Sequence, residues 1–176
     1  MAIPGIRSDP FPAFNFLVSL IDSSSVLGSI TSAINFVAGG GFTECSGLES
    51  TLQVEEYSEG GENRFVHKFP TRITYSNILL KRGVTLSEDL WNWHASYING
   101  NGKRRDGVII LNNELQIPIK TWVFKRGLPL KWTGPTFNAA QSAIAVETLE
   151  IMHEGLELIS AGTALAQAGE AISSAF

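Results

Sequence analysis

Hydrophobic and polar residues alternate in several separate stretches of this chain, which is the pattern of half-buried β-strands. In residues 14–20 the apolar side chains begin with Phe14 and occupy alternate positions, and in residues 51–57 Leu52 and Val54 share one face. Glycine, proline and small polar residues separate such stretches. The pattern predicts a mainly β protein.

A longer extended run covers residues 64–81 and follows a polar, glycine-centred connection at residues 58–63. Glycine adopts positive φ at little steric cost, so this connection is predicted to reverse the chain. Pro70 cannot donate a backbone hydrogen bond, so we expect a kink or a sheet edge there. The run is expected to end at Arg82 and Gly83. The residues predicted to face the interior are Ile73, Tyr75 and Leu79.

A capped helix is predicted next, because residues 85–88 read Thr-Leu-Ser-Glu, a capping box with Thr85 as the N-cap. The glycine-containing turn at residues 99–102 is expected to end this helix. Trp91 and Trp93 point in different directions, so one is predicted to lie in the core and the other to meet a neighbouring subunit. The residues predicted to form the apolar stripe are Leu86, Leu90, Trp93, Tyr97 and Ile98.

The C-terminal half begins with a predicted hairpin. Residues 108–111 form its first strand, Asn112 and Asn113 form the turn, and residues 115–124 form the partner strand. After a break that contains glycine and proline, β character continues through residues 128–132. This half is therefore also expected to be rich in strands.

Residues 143–159 fit two interpretations. Their alanine, leucine and glutamate residues favour a helix by intrinsic propensity. However, Ile144 with Val146 and Leu149 with Ile151 also alternate, and a glycine inside the stretch would weaken a helix by about 1 kcal/mol. The residues alone leave helix and strand open.

Composition places the chain among globular proteins of one domain. It has 176 residues, of which 44% are hydrophobic and 17% charged, enough to bury a core. The net charge of −4, without a long basic run, argues against nucleic acid as a surface-bound partner. We expect no stable membrane insertion, because no run reaches the roughly 18 apolar residues of a membrane helix.

The compartment expected from the sequence is the cytoplasm. The proline-rich start lacks the apolar region of a signal peptide. The one cysteine, Cys45, has no partner within the chain, so it fits a reducing environment and is interpreted as a small packed side chain.

No combination of residues indicates catalysis, a cofactor or a metal. His67, His94 and His153 lack neighbours at metal-ligand spacing. Strand alternation divides the acidic cluster that includes Glu55 and Glu56 between two faces, so a solvated face or a pore lining is the simpler interpretation. We therefore expect no enzyme activity and no cofactor.

Four ordered motifs carry a resemblance to a known family. They are EEYSEGG at residues 55–61, VHKFP at residues 66–70, YSNILLKRG at residues 75–83 and LWNW at residues 90–93. With these motifs the sequence resembles the tail-tube (inner tube) proteins of contractile phage tails and of phage-tail-like contractile injection systems. The resemblance extends from about residue 9 to about residue 159.

The resemblance implies a fold and an assembly. Two packed antiparallel sheets approach a barrel with one flanking α-helix, and the copies assemble into a hexameric ring β-barrel whose rings stack into a hollow conduit. Residues 143–159 are a strand in this family, so we predict a strand there against the helix propensity. Two segments depart from the family: an insert at residues 22–41 of a tail-tube domain at residues 1–159, and an Ala-rich extension at residues 160–176.

The resemblance also implies partners. These are further copies of the chain, a sheath protein, baseplate and spike proteins, and cargo or DNA in the lumen. The particle would form in a bacterial cytoplasm, with release from the cell as a further option. The residues predicted to make subunit or ring contacts are Glu56, Tyr57, Glu59, Gly60, Gly61, Lys81, Arg82 and Trp91.

Three alternatives stay open. A secreted ring of the type VI secretion kind, which carries effectors in its lumen, would share this architecture. A specialised ring next to the baseplate or spike would account for the insert and the extension. A carbohydrate-binding or enzymatic β domain is the third alternative, and the missing site chemistry argues against it.

Overall fold

The computed structural model describes residues 12–22, 41–61 and 64–160, with nine strands and one helix in that part of the chain. The predicted insert at 22–41 and extension at 160–176 lie, apart from their boundary residues, outside the described residues. The elements are β1 (Phe16–Asp22), β2 (Phe42–Ser46), β3 (Ser50–Tyr57), β4 (His67–Tyr75), β5 (Ile78–Gly83), α1 (Asp89–Ile98), β6 (Arg105–Asn112), β7 (Pro118–Thr133), β8 (Val146–Met152) and β9 (Gly155–Ser160).

The long strand β7 joins two antiparallel sheets. In the first sheet, the first half of β7 pairs with β6 and β9, and β6 also pairs with β1. In the second sheet, the second half of β7 pairs with β8, and the strand order is β7-β8-β5-β2. Between the halves, Arg126 has a positive φ of 55°. The strands β3 and β4 form a separate two-stranded sheet. The described residues thus confirm the predicted mainly β class with antiparallel sheets and one helix.

The core lies where the two sheets face each other. Ile78 and Leu80 of β5 lie directly opposite Ile151 and Leu149 of β8, and all four side chains are fully buried. They pack with Phe124 of β7 and with residues from β6 and α1. Fully burying each such side chain contributes roughly 1.5–3 kcal/mol.

Two glycines make room for the Phe124 ring. A Cβ at Gly107 would lie 2.1 Å from ring atoms of Phe124, and a Cβ at Gly127 would lie 2.8 Å from the same ring and from the Arg105 carbonyl oxygen. These are distances that real Cβ atoms do not show. Only glycine therefore allows the ring to fill the space between the sheets.

The predicted single run at residues 64–81 is wrong, because it is two strands that belong to different sheets. Asn77 lies between them and donates from Nδ2 to Oε1 of Glu150 at 2.7 Å, which anchors the chain where it changes sheets. The change also shifts the alternation. Ile73, predicted to be buried, is exposed, whereas Ile78 and Leu80 are buried. The other two predicted interior residues, Tyr75 and Leu79, are half-buried.

The predicted helix start at Thr85 is also wrong, because α1 begins at Asp89. The Thr85 hydroxyl accepts a hydrogen bond from the Ser87 amide at 3.2 Å, which forms a local turn in place of a capping box. Nη2 of Arg82 donates to the Ser87 carbonyl oxygen at 3.0 Å and holds this connector against the sheet. Leu86 is consequently fully exposed.

The remainder of the helix prediction is largely confirmed. Leu90 and Trp93 are buried, although Ile98 is exposed and lies outside the buried stripe. At the C-terminus, Gly100 has a φ of +78°, and the amides of Gly100 and Asn101 donate to the carbonyl oxygens of Tyr97 and Ser96. This is the Schellman arrangement that a glycine at this position favours.

The C-terminal half is built from strands, as predicted. Residues 143–159 contain strand rather than helix, but the predicted single strand is two, β8 and β9, which meet at His153 and Glu154 and pair with different halves of β7. Pairing on the sheet therefore overrides the helix propensity. The predicted break near Gly127 does not divide β7, which continues for 16 residues to Thr133.

Candidate assembly surface

The two-stranded sheet of β3 and β4 extends away from the rest of the subunit, and we call residues 50–75 the arm. Every residue of β3 is exposed, and in β4 only the two terminal residues, His67 and Tyr75, are half-buried. An isolated two-stranded hairpin is at best marginally stable in water. The arm is therefore the part of the chain that most needs further contacts.

One face of the arm is aliphatic. Leu52 lies opposite Ile73, and Val54 lies opposite Pro70, so these side chains share a face. Leu52 is 55% exposed and Ile73 is 56% exposed. We call Leu52, Val54 and Ile73 the aliphatic face.

The opposite face is aromatic towards the tip of the arm. Tyr57 lies opposite His67, and Glu55 lies opposite Phe69. The rings of His67 and Phe69 stack at 6.2 Å, and Phe65 makes an edge contact with His67 at 5.0 Å. The rings of Tyr57, Phe65 and Phe69 remain largely exposed, so both faces of the arm present apolar surface.

Ion pairs and glycines mark the described part of the tip. Oε1 of Glu56 lies 3.2 Å from Nζ of Lys68, and Oε2 of Glu59 lies 3.5 Å from Nε2 of His67. Exposed pairs of this kind contribute about 0–1 kcal/mol. Gly61 has a φ of +99°, and a Cβ at Gly60 or Gly61 would meet nothing within 4 Å. The tip therefore has free space around it.

The root of the arm rests on a buried histidine. The Tyr75 ring lies 5.3 Å from the ring of His153, which lies at the junction of β8 and β9. Nδ1 of His153 is 3.0 Å from the Gly155 carbonyl oxygen, whereas its buried Nε2 makes no hydrogen bond of normal geometry. Burial lowers the pKa of His153, and backbone contacts with Gly155 and Ser76 partly oppose that shift. The imidazole is therefore neutral at pH 7.

Lys81 and Arg82 have different environments. Nζ of Lys81 pairs with Oε2 of Glu44 at 2.7 Å on a partly exposed surface. Arg82 is 1% exposed, and its Nε lies 2.6 Å from Oε1 of Glu147, whose other oxygen accepts a hydrogen bond from Nε1 of Trp132 at 2.9 Å. Arg82 thus joins β5 to β8 and to the connector before α1 within one subunit.

The two helical tryptophans differ as the sequence predicts. Trp93 is buried and donates from Nε1 to the Lys103 carbonyl oxygen at 2.9 Å. Trp91 remains 43% exposed, with its ring against the edge of Trp132 at 4.8 Å. Trp91 therefore lies on the outer surface, where it is accessible to another molecule.

Reactive chemistry is sparse in the part of the chain that the structure describes. There, no group of three or more histidine, cysteine, aspartate or glutamate side chains could hold a metal ion. Burial raises the pKa of the Cys45 thiol to about 11, so it is a poor nucleophile. His94 contacts the Pro129 carbonyl oxygen at 3.2 Å.

None of the described helices is long and apolar enough to cross a membrane.

Five of the eight predicted contact residues lie on the arm: Glu56, Tyr57, Glu59, Gly60 and Gly61. The other three, Lys81, Arg82 and Trp91, lie on the rest of the subunit, which we call the body. Sequence reasoning missed Leu52, Val54 and Ile73 as contact candidates, because alternation shows that side chains share a face but not what covers that face. The exposed apolar side chains of the arm form surfaces that other proteins can contact.

Comparisons with known proteins agree with this geometry. The family model described as "T4-like virus tail tube protein gp19" matches residues 12–157. No curated protein matches the sequence.

Solved structures show the same fold. A chain in the anti-feeding prophage (AFP) cap structure, described as the AFP tube terminating cap, is 26% identical, with a TM-score of 0.71 and coverage of 92% of this chain and 100% of that chain. A chain in the AFP baseplate structure is 24% identical, with a TM-score of 0.73 and coverage of 88% and 98%. A chain in the PVC sheath-tube complex of an extracellular contractile injection system is 24% identical, with a TM-score of 0.72 and coverage of 87% and 93%.

Proposed function

The chain belongs to the family of T4-like virus tail tube proteins, and we propose that its arm joins copies of it into stacked hexameric rings. The rings form the hollow inner tube of a contractile injection system, through which cargo or DNA passes when a sheath contracts. The observation that carries this proposal is the arm itself, a two-stranded sheet with apolar side chains exposed on both faces. The function is mechanical, and no enzyme activity is expected.

Uncovered strand edges support the ring. In the described residues, β1 and β2 lie at the two ends of the sheet order, and β9 pairs only with β7. Exposed edges pair with other strands unless something covers them, and a closed ring of subunits removes them. Contacts between unlike surfaces of identical subunits give rings when the rotation closes, and open stacks when it does not.

The partners of this tube are a sheath, a baseplate and a spike. The similar solved chains come from a sheath-tube complex, a baseplate and a tube cap, which supports these partners. Trp91 lies on the outside of the subunit and is a contact residue for such a partner or for a neighbouring subunit. The assembled particle forms in a bacterial cytoplasm.

The test is electron microscopy of the purified full chain, together with its mass by light scattering. We expect hexameric rings or hollow stacks. The Gly60→Val and Gly61→Val double variant should remain a folded monomer, because its side chains have space within the subunit but alter the surface and conformation of the tip.

Gly100→Val is the matched control for the double variant. Gly100 also has a positive φ and open space around its Cβ position, but it lies at the end of α1 rather than on the arm. The control should still form rings. Normal tubes from the double variant would contradict the role of the arm, and a wild-type protein that stays monomeric at high concentration would contradict the tube.

A specialised ring at one end of the tube is the second candidate, because two of the similar chains come from baseplate and cap structures. Antibody labelling of intact particles distinguishes the two candidates. Label along the whole tube supports the main proposal, and label at one end supports the specialised ring.

A further inference from the structure

The first sheet has two faces, and only one of them points into the core. Ile109 of β6 and Phe124 of β7 belong to the buried core cluster, and Val18 and Leu20 of β1 pack against it. The same cluster contains residues of α1 and of the second sheet. Because side chains alternate along a strand, the residues between these positions face away from the core. We call this second surface the back face, and its apolar members are Leu17, Val108, Ile110, Val123 and Ile159.

The centre of the back face is buried. Val108 is 5% exposed and Ile110 is 8% exposed, although the core cluster of the described residues contains neither of them. Leu79 offers a comparison, because it also lies on a strand with a neighbour on each side and also points away from the core. Leu79 is only half-buried. The burial of Val108 and Ile110 therefore indicates that a further part of the chain lies over the back face.

Residues 161–176 continue the chain from the edge of this sheet. β9 ends at Ser160, next to Ile159 of the back face, and among the described strands β9 pairs only with β7. From β9 to β1 the sheet is four strands wide, and three spacings of about 4.8 Å give roughly 14 Å. Residues 161–176 in helical conformation would extend about 24 Å. The segment is therefore long enough to cross the back face.

The sequence of this segment suits an apolar sheet face. Apolar residues recur in it at intervals of three or four, the spacing of one stripe on a helix: Leu165, Ala168, Ile172 and Phe176. The one charged side chain of the segment is Glu170, which at about 100° per residue lies on the opposite side of the helix from Ile172. Such a helix has one apolar side and one polar side.

We propose that residues 161–176 form a helix that packs its apolar stripe on the back face of their own subunit. The helix makes a third layer over the first sheet and closes the back face to other molecules. Residues 23–40 are less suitable for this position, because they must connect β1 in the first sheet to β2 in the second. The contact lies within one subunit and therefore does not depend on ring formation.

Cross-linking tests the contact directly. In a chain with Leu17→Cys and Ile172→Cys, a short bis-maleimide should join the two positions within one chain, as mass spectrometry of the digested product would show. Leu17 lies on β1, across the sheet from Ser160, and about twelve helical residues, or roughly 18 Å, bring position 172 to that side. Leu130→Cys in place of Leu17→Cys is the control, because Leu130 is similarly exposed but lies in the second sheet. The wild type is the blank, because Cys45 is half-buried and its thiol has a pKa of about 11.

A charge placed on the apolar stripe tests the packing. The carboxylate of Ile172→Glu would lack a partner against Val108 and Ile110, so the helix should detach. We expect the unfolding equilibrium constant of the subunit to rise by about tenfold. Ser174→Glu is the matched control, since it adds the same charge to the polar side of the same segment and should change that constant by at most about twofold. Urea unfolding at low protein concentration measures both variants.

The expected result is a cross-link within one chain between positions 17 and 172, with a loss of stability in Ile172→Glu alone. A cross-link that joins two chains would show that the segment covers another copy, and it would overturn packing on the same subunit. The absence of a cross-link, equal cross-linking of positions 17 and 130, or equal stability of the two glutamate variants would also overturn it. Tubes seen by electron microscopy in such a case would leave the tube function intact.

Discussion

The arm and the β5–β8 strand pair contain the same kind of cross-strand contact in opposite environments. In the arm, Leu52 lies opposite Ile73, and both side chains are more than half exposed. In the body, Leu80 lies opposite Leu149, and both are fully buried. The difference teaches that similar aliphatic pairs stabilise the subunit in one place and are left available for association in the other.

The largest expected effect comes from breaking the buried charge pair of the body. Arg82→Met leaves the Glu147 carboxylate buried with only the Trp132 hydrogen bond, so we expect the free energy of unfolding of the subunit to fall by about 3–5 kcal/mol. Lys81→Met is the matched control. Its pair with Glu44 is partly exposed, and its loss should change stability by at most about 1 kcal/mol. Urea unfolding measures both variants, and equal stabilities would contradict the contrast.

The second prediction compares the two aliphatic pairs directly. Leu149→Ala should lower the free energy of unfolding by about 2–5 kcal/mol, because it leaves a cavity in the core. Leu52→Ala should change the unfolding of the isolated subunit by at most about 0.5 kcal/mol, because that side chain is solvated there, yet it should weaken assembly. Urea unfolding at low concentration and light scattering at high concentration separate these effects. A large loss of subunit stability in Leu52→Ala would show that the arm packs on its own body.

The smallest effect concerns pH at the junction of arm and body. The pKa of His153 is lowered by burial, so the unfolded chain binds a proton more readily than the folded subunit does. The contribution of His153 to stability is therefore complete above about pH 6.5 and is lost as the pH falls from there towards the folded pKa. The rings that contact His153 are those of Tyr75 and Phe124.

The measurement is subunit stability between pH 7 and pH 5 for the wild type and His153→Gln. We expect the wild type to lose more stability than the variant over this range. The other histidines, His67 and His94, are present in both proteins, so the comparison isolates position 153. Identical pH profiles would contradict the role assigned to His153.

Local residue patterns predicted much of the fold because their physical causes are local. The glycine at position 100 ends α1 through its positive φ, as the sequence predicts. Pro70 lies at a register irregularity in a two-stranded sheet, where the missing amide hydrogen has little consequence. The ordered motifs identified the family, and the strand assignment of residues 143–159 came from that resemblance rather than from propensity.

The errors occurred where distant residues decide the outcome. Thr85 resembles an N-cap, but the bond from Arg82 to the Ser87 carbonyl oxygen holds residues 84–88 in a connector. Ile73 continues the alternation of an extended run, but the chain changes sheets at Asn77. Periodicity carries no information about such a change, because it reports only how neighbouring side chains are oriented.

The sequence by itself determined the β-rich class, the family, the end of the helix and the polar, glycine-centred tip of the arm. Each of these depends on backbone preferences or on residue order within a short segment. Only the tertiary structure decided that Arg82 is buried, that Leu52 is exposed and that β4 and β5 belong to different sheets. Burial depends on which strands pair across long sequence separations, and no local pattern contains that information.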